Sequence, residues 1–263
     1  MDIVSVFGII GGIAACIGCV LLEEVGIVGQ GYLNIPGAVI IGSGSVLATG
    51  AMFTMKELMK TPAFLKIMFF NKEEEPKEII ETMIAFAQKA RREGLLALEA
   101  DIENIKDPYF QKGIQLVVDG VDPELIEEIL DIDLTHMKHR HKLGEDIFMS
   151  AGGIAPTMGI LGAIMGLTGA LGKMGGGDIM TTVHSLAIAF IASFYGVALA
   201  NLVLIPIAMK LKRLNENEVF VKDLIVTGVL SIQAGDNPRI VEEKLKAFFN
   251  KEEWPLKAEA EGK

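Results

Sequence analysis

IFMSAGGIAPTMGILGAIMGLTGAL, residues 147–171, contains no charged side chain. A run of about 20 apolar residues is what a helix needs to cross a hydrocarbon core of about 30 Å. A second such run, VHSLAIAFIASFYGVALANLVLIPIAM at 183–209, follows after a short Gly-rich turn, so the two predict an antiparallel pair of spanning helices. Toward the N-terminus the pattern repeats. Residues 3–22 and 33–53 are apolar and uncharged, and EEVGIVGQGY separates them. Residues 1–55 hold no Lys or Arg and residues 147–209 hold only Lys173, whereas the other cations lie in 56–146 and 210–263. Apolar and charged blocks thus alternate, as in a polytopic membrane protein rather than a soluble enzyme.

The expected fold is all-α, with four transmembrane helices in two hairpins and a helical cytoplasmic domain. Its parts are a hairpin at 1–53, a cytoplasmic helical domain at 54–146, a second hairpin at 147–209 and a cytoplasmic helical tail at 210–263. Flanking cations set the orientation. Lys56, Lys60, Lys66 and Lys72 follow the second span, Lys138, Arg140 and Lys142 precede the third, and Lys210, Lys212 and Arg213 follow the fourth. The short turns offer Lys173 against Glu23, Glu24 and Asp178. The long loop and both termini are therefore expected in the cytoplasm. No cleavable leader is expected, because the N-terminus lacks a basic segment and a second apolar run follows at once.

Within the cytoplasmic part, Ile79, Ile80, Met83, Ile84 and Ala87 recur at helical spacing, Gly94 interrupts, and Leu95, Leu98 and Ile102 resume the pattern. Asp122–Pro123 and Asn237–Pro238 each read as a helix start, a capping side chain followed by a first-turn proline. The formal net charge of −10 excludes a nucleic-acid partner, since phosphate binding needs a basic surface. Cys16 and Cys19 form a C-x-x-C inside the first span, where an apolar setting favours small packing residues over redox chemistry. His136, His139 and His141 lie among basic residues, and a solvated helix face outweighs a metal site there.

The spans contain no Asp, Glu, Lys or Arg, although ion paths rely on ionisable groups at membrane depth. If this chain helps ions across, another chain must supply the acid. Gly152, Ala155, Gly159, Gly162, Gly166 and Gly169 stand alternately three and four apart in the third span, so they share a helix face. The fourth span echoes them with Ser185, Ala189, Ser193 (or Ala192), Gly196 and Ala200. Close helix packing and a smooth wall for another chain both fit such a stripe. Pro156 and Pro206 each remove a helix hydrogen bond, giving a static kink or a hinge.

RREGLLALE at 91–99, VVDGVDPELI at 117–126, RH at 140–141, GGIAPTMGILGAIMGL at 152–167, AIAFIASFYGVALAN at 187–201 and SIQAGDNPRIVEEKL at 231–245 resemble, in order, the MotA flagellar stator family. The wider MotA/TolQ/ExbB family includes three-span energisers of envelope transport, an alternative that the four-span layout and RREGLLALE disfavour. The resemblance implies a stator subunit in the bacterial inner membrane that couples ion flow to torque on the rotor. It implies self-association as a ring, a pentamer around a MotB dimer, with MotB supplying the ion-binding Asp. The rotor partner would be FliG, reached through charges that match Arg91, Arg92 and Glu99. The family's functional prolines match Pro156 and Pro206. Gly159, Gly162, Ala163, Gly166 and Ser193 would line the ion path and face the partner. Sodium-driven relatives tend to carry threonine where this chain has Ala163, while Ser193 keeps a hydroxyl in the fourth span. The resemblance therefore favours protons, with sodium possible, and no cofactor.

Overall fold

The computed structural model describes residues 3–22, 35–70, 76–173, 179–250, 252 and 254–256. The two short turns with Glu23, Glu24 and Asp178 lie outside these residues, as do the side chains of Cys19, Lys173 and Ser185. Every regular element among the described residues is helical. In order they are α1 (Ile3–Leu22), α2 (Ile35–Gly50), α3 (Met55–Leu58), α4 (Thr61–Phe70), α5 (Pro76–Glu93), a 3₁₀ segment (Leu95–Asn104), α6 (Pro108–Val118), α7 (Pro123–Lys173), α8 (Ile179–Leu199), a π turn (Ala200–Leu204), α9 (Ile205–Gln233) and α10 (Pro238–Lys246). Both expected helix starts hold, with α7 opening at Pro123 and α10 at Pro238, where the Asn237 side chain accepts from Arg239 N at 3.1 Å.

Two helical stretches among the described residues, Pro123–Gly172 and Ala189–Gln233, are long and apolar enough to cross a membrane. Gly8–Gly18 and Gly37–Gly50 are shorter apolar stretches. The chain divides into two compact units, one of residues 1–71 and 141–213, the other of residues 72–140 and 214–263.

In the first unit Phe64 and Met68 of α4 are buried with Ile147 and Phe148 of α7 and Ile207, Ala208 and Leu211 of α9. Gly144 makes room for this seam, since a Cβ there would lie 3.0 Å from the Phe64 ring. Residues 54–70, read from sequence with the cytoplasmic domain, therefore pack with the apolar helices. The reason is that α4 has its own apolar face.

The second unit has a core of α5, the 3₁₀ segment, α6, the start of α7, the later part of α9 and α10. Ile80 and Met83, Leu98, Ile114, Ile126, Leu224 and Leu245 are its fully buried representatives. Helices α5 and α9 approach closely at Gly228, where a Cβ would sit 2.3 Å from Met83 Sδ. After Gly94 the sequence expectation of a resumed α-helix gives way to a 3₁₀ segment.

A buried ion pair crosses this core. The Asp107 side chain caps α6 by accepting from Phe110 N at 2.8 Å, with Pro108 at the first helical position. The same carboxylate pairs with Lys222 of α9, and the two side chains are only 6% and 7% exposed. The Tyr109 ring lies 5.7 Å from Lys222 Nζ, and its hydroxyl donates to the Leu130 carbonyl at 2.9 Å. Burial first, then the carboxylates of Asp133, Asp223, Asp131 and Asp107, push the Tyr109 phenol above its ordinary value, so it stays a donor. Charges this deep are tolerated because both carboxylate oxygens accept, one from Phe110 N and the other from Lys222, and the ammonium also faces the Tyr109 ring. Lys222→Met should therefore cost about 3–5 kcal/mol by leaving a buried carboxylate unpaired. Pairing it with Asp107→Asn, which keeps a capping side chain, should recover most of the loss. Denaturant unfolding of the full chain in detergent reads both, and an unchanged midpoint for Lys222→Met would sink the assignment.

Candidate functional site

In the first unit the site grows from glycine. Helix α7 presents small residues to α8 so closely that backbones touch. A Cβ at Gly196 would lie 2.5 Å from the Ala155 carbonyl oxygen and 3.1 Å from Gly159 Cα. One at Gly159 would meet the Ala192 carbonyl at 3.0 Å and Ser193 Cα at 3.1 Å. A Cβ on Gly162 would lie 3.1 Å from the Ala192 methyl, and one on Gly166 would lie 2.8 Å from the Ala189 methyl. Across the seam the Ser193 hydroxyl donates to the Gly159 carbonyl at 3.3 Å. Ala163 is half-buried beside them.

Of the two readings of the small-residue stripe, close helix packing is the one seen within the chain: Gly159, Gly162 and Gly166, expected to face a partner, lie against α8 of the same chain. The physical reason is that a face without Cβ atoms is taken first by the helix tethered next to it. What α7 leaves exposed is the adjacent apolar strip of Ile160, Leu161, Ile164 and Met165. Gly169 stands apart, exposed and with nothing within 4 Å of an added Cβ.

The two prolines are joined through this packing. Pro156 lies inside α7 without ending it, and its missing N–H frees the carbonyl of Gly152, four residues earlier. A Cβ on Gly152 would lie 2.8 Å from Ile205 Cγ1 and 3.6 Å from Ile205 N, next to Pro206. Ahead of Pro206 the helix widens into the π turn Ala200–Leu204, a local register change of the kind that sets a bend. Sequence reading missed this turn.

In the second unit the charges of RREGLLALE form an elbow. Gly94 has φ +90°, a conformation an L side chain adopts only under strain, and it stops α5 after Arg91, Arg92 and Glu93. The 3₁₀ segment then leads away with Leu98 and Ile102 buried and Glu99 exposed. Lys89 Nζ reaches Asp101 Oδ2 at 2.6 Å and ties the two arms together. Arg91, Arg92 and Glu99 are exposed and form no ion pair among the described residues. Leu96 lies between them in sequence and is 72% exposed. Sequence reading passed it over because its spacing fits neither arm, and the signal for it was a leucine out of phase with Leu95, Leu98 and Ile102.

His136 and His139 are exposed and His141 is half-buried, and no group of three or more His, Cys, Asp or Glu among the described residues is arranged to hold a metal. Cys16 is a half-buried free thiol.

Relatives place this geometry. Residues 101–223 match the model of the MotA/TolQ/ExbB proton channel family. Motility protein A of Borreliella burgdorferi is 40% identical over 211 residues, covering 80% of this chain and 79% of that one. Motility protein A of Bacillus subtilis is 37% identical over 95% of this chain and 91% of its own. Chemotaxis protein PomA of Vibrio alginolyticus is 34% identical over 95% of this chain and 96% of its own. Among solved structures, a chain of the flagellar MotAB stator complex from Bacillus subtilis superposes with a TM-score of 0.85 at 35% identity, covering 95% of this chain and 97% of that one. A chain of MotAB from C. jejuni gives 0.87 at 25% identity, covering 97% and 98%.

The seam predicts a graded glycine series. Gly196→Ala and Gly162→Leu should lower thermal stability, by about 1–3 kcal/mol for the overpacked backbone contact, and stop swimming in soft agar. Gly169→Ala should do neither, and Gly8→Leu, at a site with nothing within 4 Å, should be mild. A fully stable, motile Gly196→Ala variant would show that the seam opens freely. The family match, the end-to-end likeness to motility proteins and the shared MotAB architecture establish that this chain belongs to the MotA/TolQ/ExbB proton channel family, as a flagellar stator subunit.

Proposed function

We propose that four spans hold this chain in the bacterial inner membrane with both termini cytoplasmic. Copies form a pentameric ring around a dimer of a MotB-type partner. The observation that carries this reading is an absence within a proton channel family: residues 147–171 and 183–209 contain no Asp, Glu, Lys or Arg. A channel without an acid at membrane depth must borrow one, because a carboxyl is what binds and releases the ion there. The similar solved structures are of MotAB complexes, which supports a partner that supplies it.

The partner's helix lies along the exposed strip of Ile160, Leu161, Ile164 and Met165, while the Gly159–Gly196 seam keeps the third and fourth spans together behind it. The Pro156 turn, resting on the residue before Pro206, passes a shift in one span to the other. Protons are the coupling ion, since sodium needs several oxygen ligands. Ala163 offers no side-chain oxygen, and the Ser193 hydroxyl is already engaged with Gly159. The free charges of Arg91, Arg92 and Glu99, with Leu96 between them, meet the rotor protein FliG.

Two outcomes test this. Liposomes containing the purified chain alone should show no ion flux, and adding the partner should produce proton uptake without sodium uptake. Flux from the chain alone at the rate of the complex would overturn the borrowed acid. Arg91→Glu and Glu99→Lys should each abolish or severely reduce swimming while membrane assembly stays at the parent level, because these exposed side chains carry no part of the core. A loss of assembly in either variant would mark the charges as structural.

A further inference from the structure

The segment after α2 gathers lysines and exposed apolar side chains. Between residues 51 and 70 the only acidic residue is Glu57, while Lys56, Lys60 and Lys66 are all present. Glu57 is spent on a capping box: its Oε2 accepts from Thr54 N at 2.7 Å and from Thr54 Oγ1 at 2.8 Å. The three lysines are exposed and form no ion pair among the described residues. Beside them stand large apolar side chains with nothing over them. Met55 and Met59 are 72% and 75% exposed, and Met52, Ile67 and Phe70 are exposed as well.

Exposed methionine and phenylalanine mixed with cations is a poor surface for water and a good one for a bilayer boundary. There, apolar side chains enter the acyl region and lysines stay with the headgroups. Position supports the same occupant. α3 begins five residues after α2 ends, and α4 is anchored by Phe64 and Met68 to the unit that contains the apolar helices. The opposite face of α4, with Lys66, Ile67 and Phe70, is the one left open.

We propose that α3 and α4 lie in the membrane surface and bind anionic phospholipid through Lys56, Lys60 and Lys66, with Met55, Met59 and Phe70 inserted. This rests on the reading that the adjacent apolar helices span the bilayer. An anionic headgroup is selected because Lys56, Lys60 and Lys66 are exposed without an ion pair among the described residues, and Glu57 between them is engaged with Thr54. Each cation near an anionic surface favours it by about fivefold.

The test uses the full chain purified with its channel partner and placed in nanodiscs of phosphatidylcholine alone or mixed with phosphatidylglycerol. Lipids held by the protein are counted by mass spectrometry. The parent should enrich phosphatidylglycerol, and Lys56→Gln with Lys60→Gln and Lys66→Gln should lose that enrichment, by about fivefold per lysine removed. Trp254 is the only tryptophan, so Met59→Trp and Phe70→Trp report separately on insertion. The emission each variant gains over the parent complex should be quenched by brominated acyl chains. Quenching without any preference for phosphatidylglycerol, or a preference that survives in the triple variant, overturns the lipid assignment. Unquenched tryptophans mean that another protein surface, such as a second copy, covers the patch, and overturn it too. A complex that fails to enter the nanodisc at all overturns the spanning reading, a result distinct from either.

Discussion

Where Gly196 of α8 crosses Ala155 and Gly159 of α7, the two backbones approach so closely that a single methyl on Gly196 would overlap a carbonyl oxygen, at 2.5 Å. Between helices in lipid there is no water to expel, so association rests on dispersion at short range and on hydrogen bonds across the seam. Glycine removes the side chains that would keep the helices apart. The Ser193 hydroxyl then finds the Gly159 carbonyl, a bond that a wider crossing would forfeit. The rest of the first unit follows from this approach. Once the glycines are consumed within the chain, the apolar residues beside them become the outer face.

The same closeness governs the prolines. A proline inside a helix leaves a carbonyl without its usual donor, and its ring presses on the preceding turn. At Pro156 that turn begins at Gly152, which lies against Ile205, the residue before the second proline. The π turn Ala200–Leu204 takes up the register change just ahead of it. Two weak points in two helices therefore meet at one place. A bend in either changes the seat of the other, whereas two distant kinks would act separately.

Local chemistry was legible in the sequence, and long-range chemistry was not. The helical class, the apolar runs, the starts at Pro123 and Pro238 and the small-residue stripe all depend on spacing within a few turns, which periodicity and capping rules read directly. The partner of the stripe was not legible, because a row of glycines is compatible with any close neighbour. Nor was the Asp107–Lys222 pair, whose members are 115 positions apart and look like two surface charges among many. The 3₁₀ path after Gly94 and the packing of 54–70 with the apolar helices were missed for a related reason. In both, an α-helical pattern was present, and tertiary contacts at Leu98, Ile102, Phe64 and Met68 decided what became of it.

A charge that is to push on another protein has to satisfy two opposed requirements. It must be unpaired, or its field is spent internally, and it must be held in place, or force moves the side chain instead of the load. In the proposed torque role, the elbow at Gly94 meets both by separating the roles. Lys89 and Asp101 form the internal pair at 2.6 Å and close the bend. Leu98 and Ile102 fix the outgoing arm in the core, and the buried Asp107–Lys222 pair fixes the start of the next helix against α9. Arg91, Arg92 and Glu99 are thereby released from structural duty and remain exposed on a rigid frame. An elbow closed by Arg91 and Glu99 themselves would spend both charges on each other and leave only Arg92 of the three to offer. The division of labour between paired and free charges is therefore a stronger sign of function than the number of charges in the motif.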